Sequence, residues 1–190
     1  MKPTLMARLR VETRTAHDDI EGALDIQASL ATADAYRDLL VRFYVFHAGW
    51  EPVLAALIDD PVLVEPRRKA VLLAADLADF GLTPAQIGAL TPSAPSPPLT
   101  TVSLAFGAMY VLEGSTLGGQ LISRQVTERL GFDAAVGAHY YNAYGRDVGA
   151  MWRAFGQAIT LAEARLDGDA VVAGAQAAFT QLQACLAERT

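Results

Sequence analysis

Residues 109–126 read MYVLEGSTLGGQLISRQV. The stretch has the character of a helix, yet Gly114, Gly118 and Gly119 stand in its middle. Glycine inside a helix costs about 1 kcal/mol relative to alanine, so three of them forgo roughly 3 kcal/mol. Something must approach this backbone so closely that side chains had to be removed. Tyr110, Gly114 and Gly118 are spaced i, i+4, i+8 and share one face. Two readings fit that face. It is either a tight helix–helix contact, or a wall laid against a flat object with peptide groups left open toward it.

Working outward, the rest of the chain is punctuated as helices too. The same segment extends from about Thr101 to Leu130, with Gly131 as its stop. Upstream, one helix is expected from Pro3 to Leu24. A second, capped by Thr32, runs to Ile58, a third from Glu65 to Phe80, and a short one opens at Thr83-Pro84. Residues 91–99, TPSAPSPPL, form a loop. Downstream, AHYYNAYG makes a helical turn, and two helices follow at Arg146–Leu166 and Asp169–Glu188. No alternating strand pattern or Asn-Gly hairpin occurs. The expectation is an all-α, single-domain multi-helix bundle over residues 1–190.

Composition excludes several classes. Fifteen Lys and Arg against 21 Asp and Glu give a net charge of −6, with no basic stripe for nucleic acid. No uninterrupted apolar run reaches a membrane span, and the N-terminus lacks a signal-peptide core, so a cytoplasmic protein is expected. Cys185 is the single cysteine, which rules out a disulfide framework or a thiolate cluster.

On the first helix, His17 sits at the edge of an apolar arc formed by Leu5, Leu9, Ala16, Ile20 and Leu24. Arg10 lies two turns before it, about 10 Å along the axis. Glu21 lies one turn after it, within reach of the ring. An imidazole that can ligate iron, a carboxylate that can accept its other N–H and a guanidinium at propionate distance suit a heme lying across the helix. A partly buried polar histidine with no ligand fits the same spacing.

Together, LRVETRTAHDDIE (9–21) and EGSTLGGQ (113–120) resemble heme oxygenase. The first carries the family's His-x-x-x-Glu. The second is similar to its Gly-rich distal motif, in the wording of the bacterial enzymes that accompany bacteriophytochromes. The segments WRAF and AQAAFTQL also resemble later parts of the family. The resemblance implies a heme oxygenase-like helical fold, with heme b as both substrate and cofactor. It makes His17 the iron ligand, Glu21 its hydrogen-bonding partner, and Gly114 and Gly118 the residues against the heme face. Arg10 and Arg153 match basic partners of the propionates, Tyr110 falls near a family tyrosine at the heme edge, and Phe179 matches an aromatic on the macrocycle. Ser115 stands where many members have an aspartate that organises proton-delivering water. A hydroxyl there can relay protons but carries no charge.

The implied reaction takes heme and O2 to biliverdin (the alpha isomer), carbon monoxide and ferrous iron. The chain has no dinucleotide fingerprint and no cysteine set for an iron–sulfur cluster, so electrons come from a ferredoxin or flavoprotein reductase. The product would serve a bacteriophytochrome pathway or iron acquisition. The main alternative is a non-catalytic heme carrier on the same fold. A thiamine-degrading relative would need a nucleophilic cysteine in the pocket, and Cys185 lies too near the chain end for that. His47, among aromatics, reads as a core or supporting residue. His139 with Tyr140, Tyr141 and Tyr144 reads as surface, and Arg68, Lys69 and Arg146 as solvated charges.

Overall fold

The computed structural model describes residues 3–187. Its elements are α1 (Leu5–Glu12), α2 (Arg14–Ala23), α3 (Ile26–Ser29), α4 (Ala33–Ile58), α5 (Pro61–Val64), α6 (Ala70–Asp79), α7 (Pro84–Gly88), α8 (Val102–Leu130), α9 (Val148–Ala162) and α10 (Gly168–Ala187). Short 3-10 turns at Glu65–Arg67, Tyr140–Asn142, Gly145–Asp147 and Glu163–Arg165 join them. Among the described residues there is no β-strand, only isolated bridges at Asp133.

Side-chain caps set most of the helix starts. Thr32 Oγ1 accepts the Ala35 N–H at 3.1 Å, Thr101 Oγ1 accepts that of Leu104 at 3.2 Å, and Thr83 and Gln86 form a reciprocal capping box. Gly131 ends α8 at φ 76°, a left-handed conformation that suits glycine.

Two expected helices are divided. The first breaks at Thr13, whose φ/ψ of −108°/2° leaves the helical region and whose hydroxyl donates to Leu9 O at 2.7 Å. Arg10 and His17 therefore sit on separate helices. The third begins only at Ala70, because α5 and a 3-10 turn occupy the chain up to Arg67. A carboxylate from α4 caps α6: Glu51 Oε1 accepts Lys69 N at 2.6 Å and Ala70 N at 3.0 Å. The last helix matches expectation as far as Ala187; Glu188 lies outside the described residues.

α8 is the central element, with α10, α4 and α9 packed around it. Its closest approach is to α10. A Cβ on Gly107 would lie 1.8 Å from Val171 O, and one on Gly174 would lie 2.0 Å from Leu104 O. Only glycine permits this crossing. Around it, Leu39, Leu40, Phe46, Trp50, Leu73 and Phe155 are buried. α10 is long and apolar enough to cross a membrane, but its apolarity serves its contacts with α8, α4, α2 and α1. The lower half of α8, beyond Gly114, has no such partner on one side, and a cleft opens there.

Candidate functional site

The cleft lies between α2, the glycine-rich half of α8, and α10, and has a volume of about 460 Å³. His17, Ile20, Glu21 and Leu24 line it from α2; Phe179, Leu182 and Leu186 line it from α10. α8 contributes Tyr110, Gly114, Ser115, Leu117, Gly118 and Ile122, while Phe43, Tyr140, Tyr141 and Trp152 complete an aromatic rim. Apolar and aromatic walls with a few polar groups are the usual composition of a small-molecule site.

His17 projects from a helix that buries none of its residues. Its side chain is 56% exposed and its ring meets Phe179 edge-on, with centroids 6.2 Å apart. Nε2 is 3.7 Å from Glu21 Oε1 and Nδ1 is 3.8 Å from Asp18 Oδ1. Both separations exceed hydrogen-bond length, so each nitrogen has a carboxylate nearby and neither is committed to it. The ring can ligate through one nitrogen while a carboxylate takes the N–H of the other.

A side annexe of the cleft shares His17 and Tyr110 with it and adds Arg10, Thr13 and Arg14. Two guanidiniums at one end give that end a positive field suited to carboxylates. Burial raises the Tyr110 phenol above its ordinary range, while a hydrogen bond with Thr13 and the charge of Arg10 oppose the shift. The break at Thr13 is what turns the Arg10 helix toward this annexe.

The glycines of α8 have different neighbours. A Cβ at Gly119 would lie 3.1 Å from Tyr141 O, so this residue seats the 140–142 turn. A Cβ at Gly114 would meet the Trp152 ring at 3.6 Å, an ordinary contact, and one at Gly118 would meet nothing within 4 Å. Helix packing therefore accounts for Gly107, Gly174 and Gly119 but not for Gly118, which opens on the cleft. Between them, Ser115 Oγ donates to Leu112 O at 2.8 Å.

Tyr140 reaches the cleft because its loop is pinned from α6. Asp76, fully buried, accepts His139 N at 2.6 Å and Tyr140 N at 2.9 Å; Asp79 accepts Gly137 N at 2.7 Å and contacts His139 Nε2 at 3.1 Å. Both Asp76 oxygens and Asp79 Oδ2 are thus engaged in fastening the loop. From α8, Gln120 donates to Gly145 O at 2.8 Å, and Asn142 donates to Ser123 Oγ at 2.8 Å. The expectation that this tyrosine cluster is surface is therefore corrected: Tyr140 and Tyr141 are buried.

Of the residues singled out in the sequence, His17, Glu21, Tyr110, Gly114, Ser115, Gly118 and Phe179 line the cleft, and Arg10 lines its annexe. Arg153 is exposed on α9 and lines neither space; its neighbour Trp152 forms the wall instead. Sequence reasoning missed Phe43, Tyr140, Tyr141 and Trp152. Trp152 has a visible signal, the aromatic WRAF segment; Tyr140 has none, since its position depends on Asp76 far along the chain. Lys69, expected in solvent, is 1% exposed. Its Nζ donates to Arg67 O at 2.9 Å and to Tyr144 OH at 2.6 Å, and Tyr144 in turn donates to Glu113 Oε2 at 2.7 Å. Arg67 Nε lies 3.2 Å from Glu113 Oε1. This buried network anchors the residue just before Gly114.

Known proteins match the chain as follows. A family model described as Heme oxygenase covers residues 3–188. A curated heme oxygenase from Xanthomonas campestris pv. campestris (strain 8004) is 34% identical over 161 residues, spanning 82% of this chain and 90% of that protein. Heme oxygenase 2 from Chlamydomonas reinhardtii, solved without heme, superposes with a TM-score of 0.81 at 20% identity, covering 97% of this chain and 96% of that one. The NO- and CO-bound heme oxygenase from Neisseria meningitidis gives a TM-score of 0.78 at 21% identity, covering 97% and 91%. At these identities the two solved structures speak to the fold alone.

Proposed function

The chain belongs to the heme oxygenase family and is a heme-degrading enzyme, and on that premise we propose that it binds heme b through His17 and converts it to biliverdin, carbon monoxide and ferrous iron. The observation that carries this reading is the pairing of opposite walls: an imidazole with no hydrogen-bonded nitrogen faces the cleft on one side, and Gly118 opens freely on the other. The residues fit the group. An apolar, aromatic-rimmed space accepts a flat macrocycle, and Arg10 and Arg14 at one end accept its carboxylates.

When bound, heme supplies the iron at which oxygen is reduced and the meso carbon that is oxidised. The chain's residues hold and orient it. A neutral imidazole ligand suits this chemistry better than a thiolate, which favours O–O cleavage. Glu21 accepts the free ring N–H of His17 after a small closure from 3.7 Å, fixing its tautomer. Phe179 and Tyr110 pack on the macrocycle. Gly114 and Gly118 keep side chains off its other face, and Ser115 presents a hydroxyl of α8 to the cleft. Arg10 has the annexe in its support as a propionate partner; Arg153, outside the lining, has only its place in the family pattern. Pinning at a single end favours one ring orientation and hence one isomer; the alpha isomer is the one that the resemblance to the bacterial enzymes implies. Electrons come from a ferredoxin or a flavoprotein reductase, and the product feeds a bacteriophytochrome or an iron supply.

The test is titration with hemin followed by ascorbate or reduced ferredoxin in air. The expected result is loss of the Soret band with growth of biliverdin absorbance, and chromatography giving the alpha isomer. A persistent Soret band without biliverdin would assign the chain to heme carriage. His17→Ala is expected to weaken hemin binding at least tenfold, on the order of 1.4 kcal/mol, and to abolish turnover.

A further inference from the structure

Gly114 and Gly118 stand one turn apart on the same face of α8, yet their surroundings differ. The Trp152 ring of α9 lies over Gly114, with Cζ3 and Cη2 each 3.6 Å from where a Cβ would be, while nothing lies within 4 Å of that point at Gly118. The indole is held from several sides. Its ring centroid is 5.4 Å from that of Tyr110 and 5.9 Å from that of Phe155, which is fully buried. Buried Arg67 fixes the spacing of the two backbones: its Nη2 donates to Met151 O at 3.0 Å, and its Nε lies 3.2 Å from Glu113 Oε1. The two residues it holds directly precede Trp152 and Gly114. One half of the glycine face is thus covered by a packed indole, and the other half is open.

The other contacts available to a flat ring are softer. Tyr110, against which the indole packs, also lines the annexe with Arg10 and Arg14. Both arginines are exposed. Ion pairs at exposed positions are weak, and the long side chains that make them turn easily. They draw the carboxylates of a ligand toward the annexe and still leave a disc free to turn in its own plane. The indole does not yield in that way, because moving it would open a void beside Phe155 in a close-packed interior. Trp152 is therefore the stiff contact against which such a turn would stop.

We propose that Trp152 is a specificity-determining residue: its indole, standing over Gly114, stops the macrocycle from turning in the cleft and so selects which edge of the ring is opened. This rests on the enzymatic reading above and deepens it. Gly118 supplies room for the ring, and Trp152 sets the limit of that room. The two are neighbours across one helical turn, so the seat is asymmetric where the glycines alone would make it uniform. Removing apolar volume from such a pocket relaxes the choice between closely similar poses without abolishing binding, since the remaining walls still bury the ring.

The test uses the full chain with hemin bound: wild type, Trp152→Phe, Trp152→Ala and, as a control on the same helix, Leu161→Ala, whose side chain is exposed. Circular dichroism and Soret titration establish folding and binding, and Trp152→Phe keeps an aromatic in place where the alanine variant does not fold. One readout is the ratio of biliverdin isomers by chromatography. The other needs no turnover: proton NMR of the cyanide-bound ferric complex, in which the shifts of the ring methyls report how the ring is turned in its plane. Wild type and Leu161→Ala are expected to give one isomer and the same methyl pattern. In Trp152→Ala the preference for that isomer should fall about tenfold and a new methyl pattern should appear, while hemin affinity stays within about fivefold of wild type. Trp152→Phe should lie between them. A side chain that only supported the fold would change stability and rate and leave the isomer ratio alone. The wild-type isomer ratio or the wild-type methyl pattern in both Trp152 variants, or a mixed product from wild type itself, would overturn the proposal. If wild type binds hemin and forms no biliverdin, the enzymatic reading fails, and the methyl patterns alone then decide whether Trp152 orients the ring.

Discussion

Lys69 is a cation held inside the molecule, and its titration has a sign that can be worked out. Burial disfavours the charged form and lowers its pKa to about 8, against the opposing pull of Glu113 and Glu51 and with some help from Arg67. The ordinary lysine value is 10.5. Between these two values the unfolded chain holds more protons than the folded one, so the folded state gains stability as pH rises. Below the lower value the burial penalty is present in full. Burial also raises Tyr36, Tyr140, Tyr141 and Tyr144 above the ordinary value of 10.0, so they oppose the trend once the unfolded tyrosines begin to ionise. Lys69→Met isolates the lysine. From pH 7 to pH 10, urea unfolding of wild type is expected to gain about 2 kcal/mol relative to this variant. Parallel stability curves would show that the ammonium is not desolvated. Nothing in the sequence around Lys69 marks it as interior. PRRKA reads as a charged turn, and only the distant Glu113 and Tyr144 give the cation a reason to be buried.

α8 does two kinds of work along one helix. Its first half crosses α10 at Gly107 and Gly174, where an added Cβ would overlap a carbonyl oxygen. Its second half, at Gly118, faces open space. Gly107→Ala is therefore expected to destabilise the fold by about 3 kcal/mol or more through overpacking against backbone. Gly118→Leu should leave stability unchanged or raise it by about 0.5–1 kcal/mol, since leucine is the better helix former. The same change should lower hemin affinity at least tenfold, about 1.4 kcal/mol. Thermal unfolding and Soret titration on both variants separate the two effects, and an intact hemin affinity in Gly118→Leu would remove the cleft from that face. The helix itself was legible from Thr101 and Gly131, because caps are local chemistry. Which glycine meets a neighbour and which meets a cavity was not, because that depends on what the rest of the chain lays against the helix. The same holds at Thr13. A threonine in a helical pattern carries no stop signal, and the break depends on a hydroxyl turned back to Leu9 O. Tyr140 reaches the site only through Asp76, at a separation that no window on the sequence spans.

At the scale of the whole molecule, the fold is unevenly secured. The crossing of α8, α10 and α4 is buried, whereas α2 buries none of its residues and rests on the others through Ala16, Ile20 and Leu24. Elements with so few buried contacts open at low free energy, independently of global unfolding. α2 also carries His17, so a ligand held between that imidazole and α8 would tie a weakly buried helix to the central one. Hemin at a hundred times its dissociation constant should add about 2.7 kcal/mol to the folded state. For a chain of this size that is a rise of roughly 5–10 °C in Tm. The protection should be local. In hydrogen exchange, amides of residues 14–23 are expected to slow most on hemin addition, with little change in the already protected centre of α8 around Gly107. His17→Ala should remove most of both effects. Protection appearing elsewhere while residues 14–23 exchange as before would mean that hemin binds without bridging α2 to α8.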